Sequence, residues 1–230
     1  MIVKLWMTRE PMTFGEDMSV LAAAEVMRNQ HVRQFPVIDG NGALVGIVSD
    51  RDIRDAMPSK FVAEGPLEDS GAGLLTLTVG QIMTPDPETV SPMTAMDVVA
   101  DRLAKLKVGG MPVVDGNGAL VGIVTEVDVF RFLSSATGLA RGGAQLAVRL
   151  EARPGPLSEL LAALREQEVH FSSVLTSHDY EQAGYRHAYI RLESLGDHSI
   201  GSLVACLSGD YDVLYYIQDG EAVNLEDDPS

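Results

Sequence analysis

DGNGALVGIVSDRDI, residues Asp39 to Ile53, returns seventy-six residues later as DGNGALVGIVTEVDV, residues Asp115 to Val129. Ten consecutive positions, Asp39 to Val48 and Asp115 to Val124, are identical, and each copy continues through a hydroxyl residue, two variable positions and an aspartate. Those are Ser49 to Asp52 and Thr125 to Asp128. Without a gap the register reaches back to Met7, Thr8, Pro11 and Thr13, which pair with Met83, Thr84, Pro87 and Thr89, and it pairs Pro36-Val37 with Pro112-Val113. A unit this long, present only twice, points to two related modules about a pseudo-twofold axis. A solenoid needs three or more copies to bury its faces.

Within each unit the same order is expected. Val20, Ala23, Ala24 and Met27 fall at helical spacing after Ser19, an N-cap residue, and the second copy places a helix over Ala95 to Leu106. Phe35 to Ile38 and Ala43 to Val48 read as strands around the Asp39 to Gly42 turn, as do Met111 to Val114 and Ala119 to Val124 around Asp115 to Gly118. A second helix starts at Ser49, and its twin runs from Thr125 to about Ser134. An extra strand is expected near Thr13 and near Thr89, whereas Thr8 to Met18 otherwise reads as an irregular connection. Met7 and Met83 read as core filler.

The remaining chain divides by composition. Residues 1–57 and 77–136 hold the two copies, and residues 58–76, with scattered Pro and Gly, form a linker. After the glycine-rich break at Thr137 to Gly143 a third domain covers residues 144–219, followed by an acidic tail over 220–230. In the third domain Leu146, Val148 and Leu150 alternate along a strand, Arg153-Pro154-Gly155-Pro156 turns the chain, and Leu157, Leu160, Leu161 and Leu164 mark a helix. Phe171 to Thr176 and Tyr185 to Leu192 read as strands, Ser199 to Leu207 as a helix and Tyr211 to Ile217 as a last strand. The order βαββαβ is that of a ferredoxin-like unit, so the fold class is α+β.

At 230 residues and 46% hydrophobic composition the chain has room for proper cores without covalent staples. Its single cysteine, Cys206, excludes an internal disulfide, no basic-apolar leader opens the sequence, and no apolar run approaches a membrane span. A cytoplasmic protein is expected. A net charge of −16 argues against a general nucleic-acid binder, since phosphate backbones are repelled at long range.

The Pro-Val-apolar-Asp strand, the glycine turn, Gly46-Ile47-Val48-Ser49 and Asp52, present twice in register, resemble the CBS domain. The resemblance implies a tandem pair whose sheets pack about a pseudo-twofold axis and leave two clefts that often hold adenine nucleotides, in modules that commonly dimerise. The last third, with Arg153-Pro154-Gly155-x-Leu157 between strand and helix, resembles an ACT domain, and departs from it at Ala152 and His170-Phe171. There the resemblance implies an effector loop with Arg153, Gly155, Leu157 and His170. A CBS pair followed by an ACT-like domain is similar to regulatory proteins of the acetoin-utilisation type.

A nucleotide cleft needs a carboxylate for ribose hydroxyls, a hydroxyl and backbone amides for phosphate, and an apolar slot for the base. Ser49 with Asp52 and Thr125 with Asp128 supply the first two, each hydroxyl at a helix start where the dipole favours an anion. The same Ser/Thr-x-x-Asp pattern is a capping box, and both roles stay open for it. By the family resemblance Thr13, Thr89, Phe35 and Met111 border the base. Positive charge comes from Arg33 and Arg51 in the first copy, where the second has Gly109 and Val127, and from Lys107 in the second. Asp50 and Glu126 oppose anions, so a monophosphate is the easier ligand and a longer phosphate chain needs a cation such as Mg2+.

Catalytic signatures are missing from the sequence. Cys206 among Leu203, Val204 and Leu207 reads as a buried structural thiol, and His31, His170, His178, His187 and His198 lack metal-ligand spacing. The expected function is a non-enzymatic regulator that binds an adenine nucleotide, forms a homodimer through one or both domain types and acts on a separate target protein. The rival is an interaction protein with empty clefts that only supports an oligomer.

Overall fold

Asp39 and Asp115 close their hairpins with their own side chains. Oδ1 of Asp39 accepts the N–H of Asn41 at 2.8 Å and of Ala43 at 2.9 Å, and Oδ1 of Asp115 accepts those of Asn117 at 2.8 Å and Ala119 at 3.0 Å. Gly42 and Gly118 complete the turns at φ of +84° and +82°, where a side chain would be strained. The amides of Ala43 and Asn41 hold the Asp39 carboxyl below its ordinary value of 3.8. With the folded value depressed, this stabilisation is full above the unfolded pKa and is lost as pH falls through the folded one. The difference in melting temperature between the wild type and Asp39→Asn should therefore narrow on acidification below about pH 4. A constant difference down to about pH 2 would show that the charge does not matter to the turn.

The computed structural model describes residues 1–57, 76–180 and 182–225, which fall into two units, Met1–Phe132 and Leu133–Ser230. The linker expected over 58–76 lies, except for Thr76, outside the described residues, as does the acidic run from Glu226 to Ser230. In the first unit the chain runs through β1 (Thr8–Arg9), β2 (Phe14–Gly15), α1 (Val20–Gln30), β3 (Gln34–Ile38), β4 (Leu44–Ser49) and α2 (Asp50–Ala56). It continues through α3 (Val79–Ile82), β5 (Thr84–Pro85), α4 (Met96–Leu106), β6 (Gly110–Val114), β7 (Leu120–Thr125) and α5 (Glu126–Ala136). The helix-strand-strand-helix order expected of each copy is present. β2 is the extra strand near Thr13, and near Thr89 there is a single parallel bridge from Val90 to Val113.

Local chemistry sets the helix ends. Ser49 and Ser19 cap α2 and α1, and α1 and α4 both stop at a left-handed residue, His31 at φ +53° and Lys107 at +57°, which occupy equivalent positions. Two cores result. Val20, Ala23 and Met27 of α1 meet Phe14, Phe35, Val37, Val48 and Ile53 in the first, and Met96, Val99 and Leu103 meet Val90, Met111, Val113 and Val124 in the second.

What the repeat does not announce is an exchange between the copies. β1 pairs with β7 of the second copy, Thr8 opposite Ile123 and Arg9 opposite Gly122, while β5 pairs with β4 of the first, Pro85 opposite Gly46 and Thr84 opposite Ile47. Val79 is accordingly buried in the first core and Val3 in the second. Each crossing is seated on a glycine. A Cβ on Gly122 would lie 2.7 Å from Met7 Sδ and 2.9 Å from the Thr8 carbonyl oxygen, and one on Gly46 would meet Met83 and Thr84 in the same way. Met7 and Met83 therefore fill the space above glycines of the other copy. An asymmetric fit joins equivalent positions 34 and 110, where Gln34 Nε2 would be 2.9 Å from a Cβ on Gly110.

The second unit holds β8 (Ala144–Glu151), α6 (Pro156–Glu166), β9 (His170–His178), β10 (Tyr185–Ser194), α7 (Ile200–Leu207), β11 (Asp212–Gln218) and β12 (Glu221–Asn224). Its sheet has the order β12-β11-β8-β10-β9 with every neighbouring pair antiparallel. Leu146, Val148 and Leu150 point to one side and are buried with Leu160, Leu164, Leu203 and Leu207 of the two helices. The expected element order is observed, and β12 is an addition to it. Across the described residues no helix is long and apolar enough to cross a membrane.

Candidate functional site

The first turn of α2 shows how Ser49 and Asp52 are used. Four N–H groups at a helix start have no partner within the helix. Here Ser49 N–H donates to Asp52 Oδ2 at 2.7 Å, Asp50 N–H to the Arg33 carbonyl at 2.8 Å, and Asp52 N–H to Ser49 Oγ at 3.3 Å. The Ser49 hydroxyl also donates to Asp52 Oδ2, at 2.7 Å. The second copy repeats this, with Thr125 N–H and Oγ1 donating to Asp128 Oδ2 at 2.9 and 2.8 Å and Glu126 N–H donating to the Gly109 carbonyl at 3.0 Å. Each motif therefore commits one carboxylate oxygen to the hydroxyl and amide three residues before it, and the first copy also closes the reciprocal bond from Asp52 N–H to Ser49 Oγ. Any ligand role falls to the other oxygen, Oδ1.

At Oδ1 the copies part. Among the described residues nothing donates to Oδ1 of Asp52, which is half-buried, whereas Asp128 is 3% exposed and its Oδ1 accepts from Arg131 Nη1 at 3.4 Å. Arg33, Arg51 and Lys107 are exposed and form no ion pair among the described residues. Arg33 borders the first cap through its carbonyl, Arg51 lies in the first turn of α2, and Lys107 caps the end of α4.

Thr13 and Thr89 are half-buried, immediately before β2 and before the Val90 bridge, and the Thr89 carbonyl accepts from Arg102 Nη1 at 3.4 Å. Phe35 and Met111, expected beside a base, are instead closed inside the first and second cores at 2% and 1% exposure. Phe35 stacks on Phe14 with ring centroids 4.2 Å apart. A base touching either would have to open that core, because an apolar strand residue facing a helix is taken up by packing first.

In the second unit Arg153 is exposed and ion-paired with Glu151, and its carbonyl accepts from Arg186 Nη2 at 3.3 Å. Gly155 stands at φ +114° before α6, Leu157 packs against the core, and His170 is exposed at the start of β9. The turn is thus held by its own side chains and backbone. Cys206 is exposed, not buried as its neighbours suggested, because Ile200, Leu203, Val204 and Leu207 occupy the inner face of α7 and position 206 falls outside it. His187 joins a polar row that its spacing did not reveal: Nε2 lies 3.1 Å from Asp179 Oδ2 and Nδ1 3.3 Å from the Tyr189 hydroxyl, and Arg149 Nε donates to Asp179 at 3.1 Å. Register produces it, since Arg149, His187 and Ser177 stand opposite one another on β8, β10 and β9.

Comparison with known proteins places the first unit. The CBS domain family profile matches residues 3–59 and 79–135. A CBS domain-containing protein of Dictyostelium discoideum is 33% identical over 132 residues, 57% of this chain and 90% of that protein. The CBS-pair protein CBSX2 from Arabidopsis thaliana is 31% identical in its crystal structure, which covers 62% of this chain and 98% of its own with a TM-score of 0.50. A crystal structure of CBSX2 in complex with AMP matches at 32% identity over 58% of this chain and 96% of its own, with a TM-score of 0.49. A putative acetoin utilization protein from Vibrio cholerae is 28% identical and covers 61% of this chain and 95% of its own, with a TM-score of 0.50. Several enzymes also match, but over only 22–23% of their own length. With a duplicated hairpin, a capped acid in each copy and a relative matched along nine-tenths of its length, this chain belongs to the CBS domain-containing proteins and carries the domain as a tandem pair.

Proposed function

We propose that the chain is a non-enzymatic regulatory sensor whose CBS pair binds an adenine nucleotide, AMP or a close relative. The observation that carries this reading is the state of Asp52, which commits Oδ2 to Ser49 and leaves Oδ1 with no donor among the described residues while half-buried. The paired hydroxyls of a ribose are donors suited to such an oxygen, and a hydrogen bond to a charged acceptor is stronger than one between neutral groups. Arg33 and Arg51 supply positive charge nearby for one phosphate group, and Asp50 opposes further ones unless a cation such as Mg2+ accompanies them. The four strands β11-β8-β10-β9 with their two helices support a ferredoxin-like, ACT-type domain, which dimerises the chain or senses a second small molecule. Regulation requires the ligand to favour one arrangement of the protein over another, and a target that reads the difference.

Calorimetry of the full chain with AMP, ADP, ATP and S-adenosylmethionine, with the solution mass measured on the same sample, tests the reading. Micromolar binding of AMP is expected, weakened by about tenfold or more in Asp52→Ala, which corresponds to losing one charge-assisted hydrogen bond. The expected mass is that of two chains. No micromolar binding of any of the four would leave the rival reading of a purely structural oligomer, and binding unchanged in both Asp52→Ala and Asp128→Ala would remove both acids from the site.

A further inference from the structure

The two copies differ at one offset that decides whether the acid is available. Three residues beyond Asp128 stands Arg131, and three residues beyond Asp52 stands Asp55, an exposed residue of the opposite sign. Asp128 consequently has both oxygens engaged, Oδ2 by Thr125 and Oδ1 by the Arg131 guanidinium at 3.4 Å. Asp52 has one. Arg54, two residues on, turns back to Asp50 at 3.3 Å, and Arg51, the residue before, forms no ion pair among the described residues. In both copies Oδ2 is held by the hydroxyl and amide three residues earlier, so the difference at Oδ1 resides in the side chain three residues on.

We propose that Arg131 takes, in the second copy, the place that ribose hydroxyls take in the first, so that each chain binds one nucleotide and binds it at Asp52. The proposal rests on the nucleotide reading above and states which half of the pair carries it. A guanidinium held against a carboxylate is a charged donor, and a neutral sugar hydroxyl offered to the same oxygen is a weaker one. Burial strengthens the preference, because Asp128 at 3% exposure has little water to replace a lost counter-charge. The phosphate end agrees with the sugar end: the residues inside the motif are Asp50 and Arg51 in the first copy but Glu126 and Val127 in the second, which therefore has no cation inside the motif and only Lys107 ahead of it.

The test exchanges the residues at this offset. Both positions are exposed, Arg131 with 70% of its side chain in solvent, so neither change threatens a core. Calorimetry with AMP on the full chain should give one site for the wild type, two for Arg131→Gln, and binding at least tenfold weaker for Asp55→Arg, which installs the same clamp on Asp52. The wild-type site should weaken by about tenfold or more in Asp52→Ala and persist unchanged in Asp128→Ala. Two sites in the wild type, a single site that follows Asp128 rather than Asp52, or an Asp55→Arg protein that binds as before would overturn the proposal while the nucleotide reading stood. Absence of any AMP binding in the wild type would remove that reading, and this proposal with it.

Discussion

Gly143→Ala will unfold the C-terminal unit well below the temperature at which the wild-type unit melts. Gly143 has φ of +75°, and a Cβ there would run into the carbonyl oxygen of Leu192 on the neighbouring strand. Left-handed backbone costs a residue with a Cβ roughly 1–2 kcal/mol. The collision adds to this, because the obstacle is backbone inside a sheet and not the movable end of a side chain. Together the two exceed about 3 kcal/mol, a large part of the stability of an ordinary domain. Gly142 supplies the control. It has φ of +70°, yet nothing lies within 4 Å of a Cβ placed on it, so Gly142→Ala carries strain without collision. Urea titrations of both variants, followed by far-ultraviolet circular dichroism, should show the larger loss at 143. Equal losses would mean that the end of β10 yields and that strain alone accounts for the effect.

Gly122→Val should destabilise the CBS pair by about 2–4 kcal/mol, at the upper end of what overpacking costs. The added side chain enters the space taken by Met7 and by the Thr8 carbonyl, so it pushes β1 off the edge of β7. Gly116→Ala, where nothing lies within 4 Å, should change little. Combining Met7→Ala with Gly122→Ala separates the two obstacles: trimming the methionine relieves the contact with sulfur but not the 2.9 Å approach to Thr8. Partial rescue is expected. Full rescue would show that the methionine alone sets the fit, and none would show that the backbone does.

The parts of this fold that are legible in the sequence are those written in local chemistry. The hairpins follow from Asp39-Gly40-Asn41-Gly42 and its twin, in which an acid caps its own turn, and α1 and α4 follow from the spacing of Val20, Ala23 and Met27 and of Met96, Val99 and Leu103. β1 and β5 are two residues long and have no period to read. Their partners are decided by which glycine accepts which methionine, a matter of three-dimensional fit. The same division runs through the candidate site. Ser49 and Asp52 stand out as a hydroxyl and an acid one turn apart, but only geometry shows that Oδ2 serves the backbone and Oδ1 does not. Arg131 carries no signal in the sequence, because it stands three residues past the acid, outside the motif, and only the folded helix brings it to Asp128. Family position places Phe35 and Met111 beside a ligand, whereas a strand residue facing a helix is claimed by the core.

The exchange of β1 and β5 also orders events during synthesis. The first repeat leaves the ribosome with the β4 edge bare, and it stays bare until Thr84 and Pro85 emerge, well after every other strand of that sheet has been made. β7 must in turn recruit Thr8 and Arg9 from the far end of the newborn polypeptide, a long-range closure of the kind that slows folding. Neither half is a finished article when it first appears, and a ribosome stalled between the repeats would present a naked β-edge to whatever chaperone or sticky neighbour is at hand.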